Sequence, residues 1–177
     1  YTHKKAKGRQ ELIAIPIFKT KVSSFKDTAK INKKPGKYYS YTIVHKDSKI
    51  LNWKMLKGKS FVYNDQLSNS GYNMPRYKLI KLGAKSWEEY FNKILVSGSH
   101  EESIRMVAEG LVDASSVDSL VLDFDRSLSE KHALNVRVIE TLFPGGAGVP
   151  PVVMSSKTSD YLKNKVKKIE SEEWYKD

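Results

Sequence analysis

Strand-like and helix-like segments alternate between residues 37 and 140, and this alternation constrains the fold more than any other feature of the sequence. Runs typical of strands occur at 37–46, 60–64, 93–97, 111–117 and 135–140. A helical stripe covers 72–82, where Pro75 requires a late start or an irregular first turn. Ser99 and Glu102 have capping-box spacing, and Asp118 is the predicted N-cap of a further helix. The order predicts an α/β fold with a parallel sheet and right-handed crossovers.

Small polar residues follow three of these strands at the point where the next helix begins. They are Ser68, Asn69, Ser70 and Gly71, then Gly98, Ser99 and His100, then Ser115, Ser116 and Asp118. Because ligands settle outside the carboxyl ends of parallel strands, these corners are expected to converge. Helix N-termini there present unpaired N–H groups, to which hydroxyls and His100 add donors, and Gly71 lets the backbone approach closely. Amides of Ser70 and Gly71 are expected to face the ligand. The pattern suits a small tetrahedral oxyanion.

Composition excludes several classes of protein. With 40% hydrophobic and 29% charged residues the chain is of the globular type, and no run approaches the roughly 20 apolar residues of a membrane span. It has no cysteine, and its four histidines lack ligand spacing, so neither a metal nor a cofactor is expected. The net charge of +11 arises mainly in residues 1–37, which hold 11 Lys or Arg against 2 Asp or Glu. Residues 38–156 hold 14 against 13, so nucleic acid is not the expected partner.

Several motifs together resemble one family. They are "YYSYTIVHKDSKI", "LKGKSFVYNDQLSNSGYNMP", "SGSHEESIRMVAEGLVDASSVDS" and "VPPVVMS". In this order they are similar to the phosphate, phosphite and phosphonate substrate-binding proteins of ABC transporters. The resemblance implies a two-lobe, type II periplasmic-binding-protein fold that closes on its ligand. Most of the first lobe has no counterpart here, so we expect a fragment of the full protein.

The resemblance also implies site residues. The family's Ser-Thr-Ser-Gly loop falls on Ser68, Asn69, Ser70 and Gly71, with asparagine in place of threonine. The family's histidine falls on His100, and its acidic or polar position after the third strand falls on Asp118. A tyrosine that the first lobe contributes falls on Tyr1. Aminophosphonate-binding members carry an acid in the loop that here reads "FPGGAGVPP". An amine-bearing ligand is therefore not favoured, although Asp118 offers one carboxylate.

The family fold divides the chain into three segments. Residues 1–45 are expected to contain the end of the first lobe, with the strand "ELIAIPIF", and the crossover strand. Residues 46–145 form the ligand-binding second lobe, and residues 146–177 return to the first lobe with a C-terminal helix. The implied protein is a monomer outside the cytoplasm, periplasmic or anchored as a lipoprotein, which delivers phosphate, phosphite or phosphonate to a permease.

Three alternatives remain open at this stage. Ser68 to Gly71 and Asp118 also suit ordinary N-capping, and His100 suits a surface helix turn. Ser70, His100 and Asp118 are residue types of a nucleophilic triad, but "SNSGY" is not the G-x-S-x-G elbow, so an enzyme is not expected. The same fold also serves as the ligand-binding sensor of membrane receptors.

Overall fold

The computed structural model describes residues 10–14, 36–149 and 152–171. Its strands are β1 (Gln10–Ala14), β2 (Lys37–His45), β3 (Ser60–Tyr63), β4 (Lys93–Val96), β5 (Ala114–Asp118), β6 (Val136–Gly148) and β7 (Val152–Ser155). Its α-helices are α1 (Met74–Lys81), α2 (Trp87–Tyr90), α3 (His100–Ala108), α4 (Ser119–Ser127), α5 (Lys131–Leu134) and α6 (Asp160–Ser171). A 3₁₀ turn spans Trp53–Leu56, and a π turn spans Asn69–Asn73. The predicted alternation of strands and helices is confirmed.

The central sheet has five strands in the order β4-β3-β5-β2-β6. Strand β3 runs parallel to both β4 and β5, as expected for strands joined by helical crossovers. Strand β2 is antiparallel to β5, with Ser40 opposite Asp118 and Val44 opposite Ala114. The expected parallel sheet is therefore a mixed sheet, because the strand at 37–45 joins it from the opposite direction.

Helices cover both faces of this sheet, and neighbouring residues of one strand face different cores. Val44 and Phe61 pack into an aromatic cluster with α1, α2 and the 3₁₀ turn. Ile43 and Val62 pack into an aliphatic cluster with α3, α4 and α5. Because successive side chains of a strand point to opposite faces, one short apolar strand supplies both layers. This explains why the strands read as nearly continuous apolar runs.

The connection from β3 to α1 passes through the irregular first turn that Pro75 requires. The π turn leads directly into α1, and Pro75 occupies one of its first two positions, where a missing N–H breaks no helical bond. Tyr72 anchors this turn, because its ring stacks on Trp87 at 5.3 Å between centroids and meets Tyr63 at 4.9 Å. The aromatic core thus fixes the loop that carries the predicted ligand-binding residues.

The chain divides into two compact units. One comprises residues 38–147 and contains the five-stranded sheet. The other comprises residues 1–37 and 148–177, of which the described parts include the antiparallel pair β1 and β7, together with α6. The assignment of residues 1–45, 46–145 and 146–177 to particular lobes stays a prediction. Within the described residues, no helix is long and apolar enough to cross a bilayer.

Candidate functional site

The loop from Ser68 to Gly71 begins with a capped turn. The Ser68 hydroxyl oxygen accepts a hydrogen bond from the Gly71 N–H at 3.0 Å. Ser68 and Asn69 are half-buried, whereas Ser70 is only 2% exposed. The Gly71 amide, predicted to face the ligand, donates to the serine that opens the turn, which uses it as its N-cap partner.

Gly71 is required at its position by close contact with Asn64. A Cβ atom on Gly71 would lie 1.9 Å from Asn64 Oδ1 and 3.1 Å from Ser68 Oγ. Asn64 is itself buried and follows β3 directly. The backbone carbonyl oxygen of Asn64 accepts a hydrogen bond from the Gly98 N–H at 3.0 Å. This bond ties the end of β3 to the corner before α3. The glycine of the predicted loop therefore permits a close approach, but to a side chain of the protein.

His100 connects two strand ends through its ring. Its Nε2 lies 3.3 Å from Nδ2 of Asn64, and its Nδ1 lies 3.3 Å from the backbone nitrogen of Asp118. The residue is the first of α3, and Ser99 caps that helix by accepting from the Glu102 N–H at 3.0 Å, as predicted. Burial lowers the pKa of His100 below its ordinary value, and the charge of Glu101 opposes this effect. Burial therefore favours the neutral imidazole.

Strand β2 closes the arrangement from the other side. The Ser40 hydroxyl donates to the Ser70 carbonyl at 2.6 Å, and Ser40 lies opposite Asp118 in the sheet. The Asn69 side-chain amide donates to the Tyr38 hydroxyl at 3.0 Å. The loop, β2, the end of β5 and the first turn of α3 are therefore joined by a continuous set of contacts.

Asp118 caps α4, as predicted from the sequence. Its carboxylate accepts a hydrogen bond from the Leu120 N–H at 2.8 Å. Burial raises the pKa of Asp118, and the Leu120 hydrogen bond opposes this shift. A carboxylate with its own backbone partner needs no ligand to satisfy it, but it remains the acidic group of this corner.

The structure brings most of the predicted site residues together. Ser68, Asn69, Ser70, Gly71, His100 and Asp118 all belong to the contacts just described, whereas Tyr1 lies outside the described residues. The expectation for Ser115 and Ser116 is wrong, since both are fully buried within β5. The Ser115 hydroxyl donates to the Val62 carbonyl, and the Ser116 hydroxyl lies 3.1 Å from that of Thr42.

Two residues of this network were missed from the sequence. Asn64 and Ser40 are small polar residues at a strand end and on a strand face, and only their contacts distinguish them from other such residues. The available signal for Asn64 was its place directly after an apolar strand and close to the polar loop. Within the described residues, no group of three His, Asp or Glu side chains is arranged to hold a metal ion.

The sequence profile of the family described as "ABC transporter, phosphonate, periplasmic substrate-binding protein" matches residues 18–169. The chain belongs to this family of transport proteins. Its members are solute-binding components rather than enzymes, and the family description places them in the periplasm. No curated protein sequence matches the chain.

Solved structures of family members have the same fold. A binding-protein component of an ABC phosphonate transporter from Pseudomonas aeruginosa is 25% identical with a TM-score of 0.66, covering 90% of this chain and 47% of that one. PhnD1 from Prochlorococcus marinus, solved with methylphosphonate, is 26% identical with a TM-score of 0.52, covering 67% and 44%. The predicted type II periplasmic-binding-protein fold is confirmed. The chain described here spans less than half the length of each of these two proteins.

A third similarity concerns the fold alone. A Xanthomonas citri protein solved with bound chloride is 16% identical, with a TM-score of 0.55, over 90% of this chain and 55% of that one. Since the family and the Pseudomonas aeruginosa protein are components of ABC transporters, the comparisons do not favour the receptor-sensor alternative.

Proposed function

We propose that this phosphonate-family protein captures a small phosphorus oxyanion, a phosphonate, phosphite or phosphate, outside the cytoplasm and delivers it as a monomer to an ABC permease. The proposal rests chiefly on the convergence of Ser68–Gly71 with the His100 corner, through Asn64. Family membership supports it, and so does PhnD1, a relative solved with methylphosphonate. Lipoprotein anchoring is part of the proposal.

The loop retains donors suited to an oxyanion. The Ser68 oxygen accepts from Gly71, so its own hydroxyl proton is still available to donate. The first N–H groups of a helix have no intrahelical partner, and Ser68 uses only that of Gly71, which leaves those of Asn69 and Ser70. These donors lie at a helix N-terminus, where the helix dipole also favours negative charge.

Asp118 fits a different part of the ligand. An ionised carboxylate only accepts hydrogen bonds and repels a phosphoryl oxygen. We therefore assign the loop to the phosphoryl group and Asp118 to an ammonium or hydroxyl group of the ligand. Tyr1 belongs to the proposed site only through the family resemblance.

Isothermal titration of the whole protein as its gene encodes it tests this function. Methylphosphonate, phosphite, phosphate, 2-aminoethylphosphonate and sulfate are the ligands to compare. We expect at least one of the four phosphorus compounds to bind more tightly than sulfate. Equal, millimolar binding of all five anions would contradict a solute-binding role for phosphorus oxyanions.

Ser70→Ala tests the loop, because Ser70 is not the N-cap and its loss leaves the turn intact. A hydrogen bond to a charged group contributes about 1.5–3 kcal/mol, so the affinity should fall roughly ten-fold or more. Ser127→Ala is the matched control, since Ser127 is exposed at the far end of α4 and its hydroxyl donates only to the Phe124 carbonyl. Equal affinities of the two variants would refute a role of the Ser70 hydroxyl in holding the anion.

A further inference from the structure

The two contacts of the His100 ring constrain where its proton lies. The Asp118 backbone N–H can only donate, so His100 Nδ1, at 3.3 Å, must be the acceptor and carry no proton. A neutral imidazole then carries its proton on Nε2. The burial of His100, which opposes the charged form, agrees with a neutral ring.

This tautomer determines the orientation of the Asn64 amide. With Nδ2 placed 3.3 Å from His100 Nε2, two N–H donors would face each other. In the same arrangement Asn64 Oδ1 is buried without a hydrogen-bond partner. The two ends of a side-chain amide have the same shape, so their partners decide which end is oxygen. Rotation of the amide by half a turn gives Nε2–H an acceptor and moves the NH₂ group to the buried position that the unpaired oxygen now occupies.

The rotation changes the group that Asn64 presents to the loop. The atom now beside Gly71, 1.9 Å from where its Cβ would lie, becomes the NH₂ nitrogen instead of a carbonyl oxygen. An oxygen there would place partial negative charge against the loop proposed to hold an anion. An NH₂ group places partial positive charge there.

We propose that Asn64 is a positioning residue of the oxyanion site: its oxygen accepts from His100 Nε2–H, and its NH₂ group faces the Ser68–Gly71 loop. Hydrogen bonds then run in one direction, from the Asp118 N–H to His100 and from His100 to Asn64. The role at the anion site rests on the proposed function; the orientation of the amide does not.

The orientation is tested first without ligand. Long-range ¹H–¹⁵N correlation spectra of the ¹⁵N-labelled whole protein at pH 7 distinguish a protonated from an unprotonated ring nitrogen. We expect His100, assigned by comparison with His100→Asn, to carry its proton on Nε2 and none on Nδ1. A proton on Nδ1, or on both nitrogens, would overturn the proposal.

Asn64→Asp then tests the effect on binding. An aspartate has the same shape and accepts from His100 Nε2–H, but it replaces the NH₂ group by a carboxylate oxygen. Like charges brought together in a binding site cost several kcal/mol, so affinity for methylphosphonate should fall by about a hundred-fold or more. Asn64→Ala, which removes a donor without adding charge, should cost roughly ten-fold. The urea denaturation midpoint and the His100 tautomer report whether Asn64→Asp is still folded and correctly arranged.

A control variant and the wild-type protein distinguish failure of the Asn64 role from failure of the proposed function. Asn92→Asp adds the same charge at an exposed residue just before β4, at the opposite end of the sheet, and should leave affinity unchanged within about two-fold. Undiminished binding by Asn64→Asp would overturn the role of Asn64 while the proposed function stands. A wild-type protein that binds none of the phosphorus compounds would overturn both.

Discussion

Replacement of Gly71 by alanine should destabilise the protein, although glycine-to-alanine changes within helical segments usually stabilise by roughly 0.5–1 kcal/mol. The new methyl carbon would lie 1.9 Å from Asn64 Oδ1 and 3.0 Å from its Cγ. Asn64 is buried and held between the loop and His100, so it has little room to retreat. Overpacking costs about 1–3 kcal/mol, and a 1.9 Å contact with a buried side chain belongs in the upper part of that range, at about 2–3 kcal/mol. Subtracting the gain of roughly 0.5–1 kcal/mol leaves a net loss of about 1–2.5 kcal/mol in the free energy of unfolding.

Urea denaturation followed by tryptophan fluorescence measures this loss. Gly145→Ala is the control, because a Cβ added there meets no atom within 4 Å, and its stability should lie within about 0.5 kcal/mol of wild type. In an Asn64→Ala background the two nearest clashing atoms are absent and only the 3.1 Å contact with Ser68 Oγ remains, so Gly71→Ala should cost much less than in the wild type. Wild-type stability of Gly71→Ala, or the same loss in both backgrounds, would refute the steric argument.

Two further predictions concern pH and partners. Burial lowers the pKa of His100 in the folded protein, so the unfolded chain binds a proton more readily as the pH falls below 6.5. The stability of the wild type should therefore decline below pH 6.5 more than the stability of His100→Asn. Denaturation midpoints at pH 8 and pH 5 measure this, and parallel declines would contradict it. Duplex DNA should bind weakly and without sequence preference, since the basic excess lies in residues 1–37; submicromolar, sequence-selective binding in fluorescence anisotropy at physiological salt would contradict this.

The order of elements was predictable because each element leaves a local signal. The Ser99 and Asp118 N-caps follow from neighbours two or three residues away, and both are observed. The Glu102 carboxylate pairs with Arg105. The direction of β2 leaves no such signal. It depends on pairing with β5, where Thr42 meets Ser116 from 74 positions away, and strand periodicity is the same in either direction.

In the candidate site too, features with local signals were predictable and contacts between distant residues were not. The loop was predictable as a polar strand end, and the position of His100 as a first helical residue. The contacts of Asn64 with His100 and of Ser40 with Ser70 span 36 and 30 positions. Only the fold brings these residues together, so the sequence suggested a direct contact of the histidine with ligand. The structure shows its ring in contact with Asn64 and Asp118, and its contact with ligand stays a prediction.

Capping and anion binding were alternatives for this loop at the level of sequence, but they use different atoms of the same side chain. A serine caps a helix with its oxygen lone pairs, and it binds an oxyanion with its proton. Ser68 accepts from the Gly71 N–H, and this bond leaves its proton available and orients the hydroxyl. Asp118 has no proton when ionised, so its capping bond to Leu120 leaves only acceptor oxygens. Ser68 can therefore cap the helix and bind an oxyanion at the same time, whereas Asp118 can cap its helix but cannot bind an oxyanion. For this reason we assign the phosphoryl group to the loop.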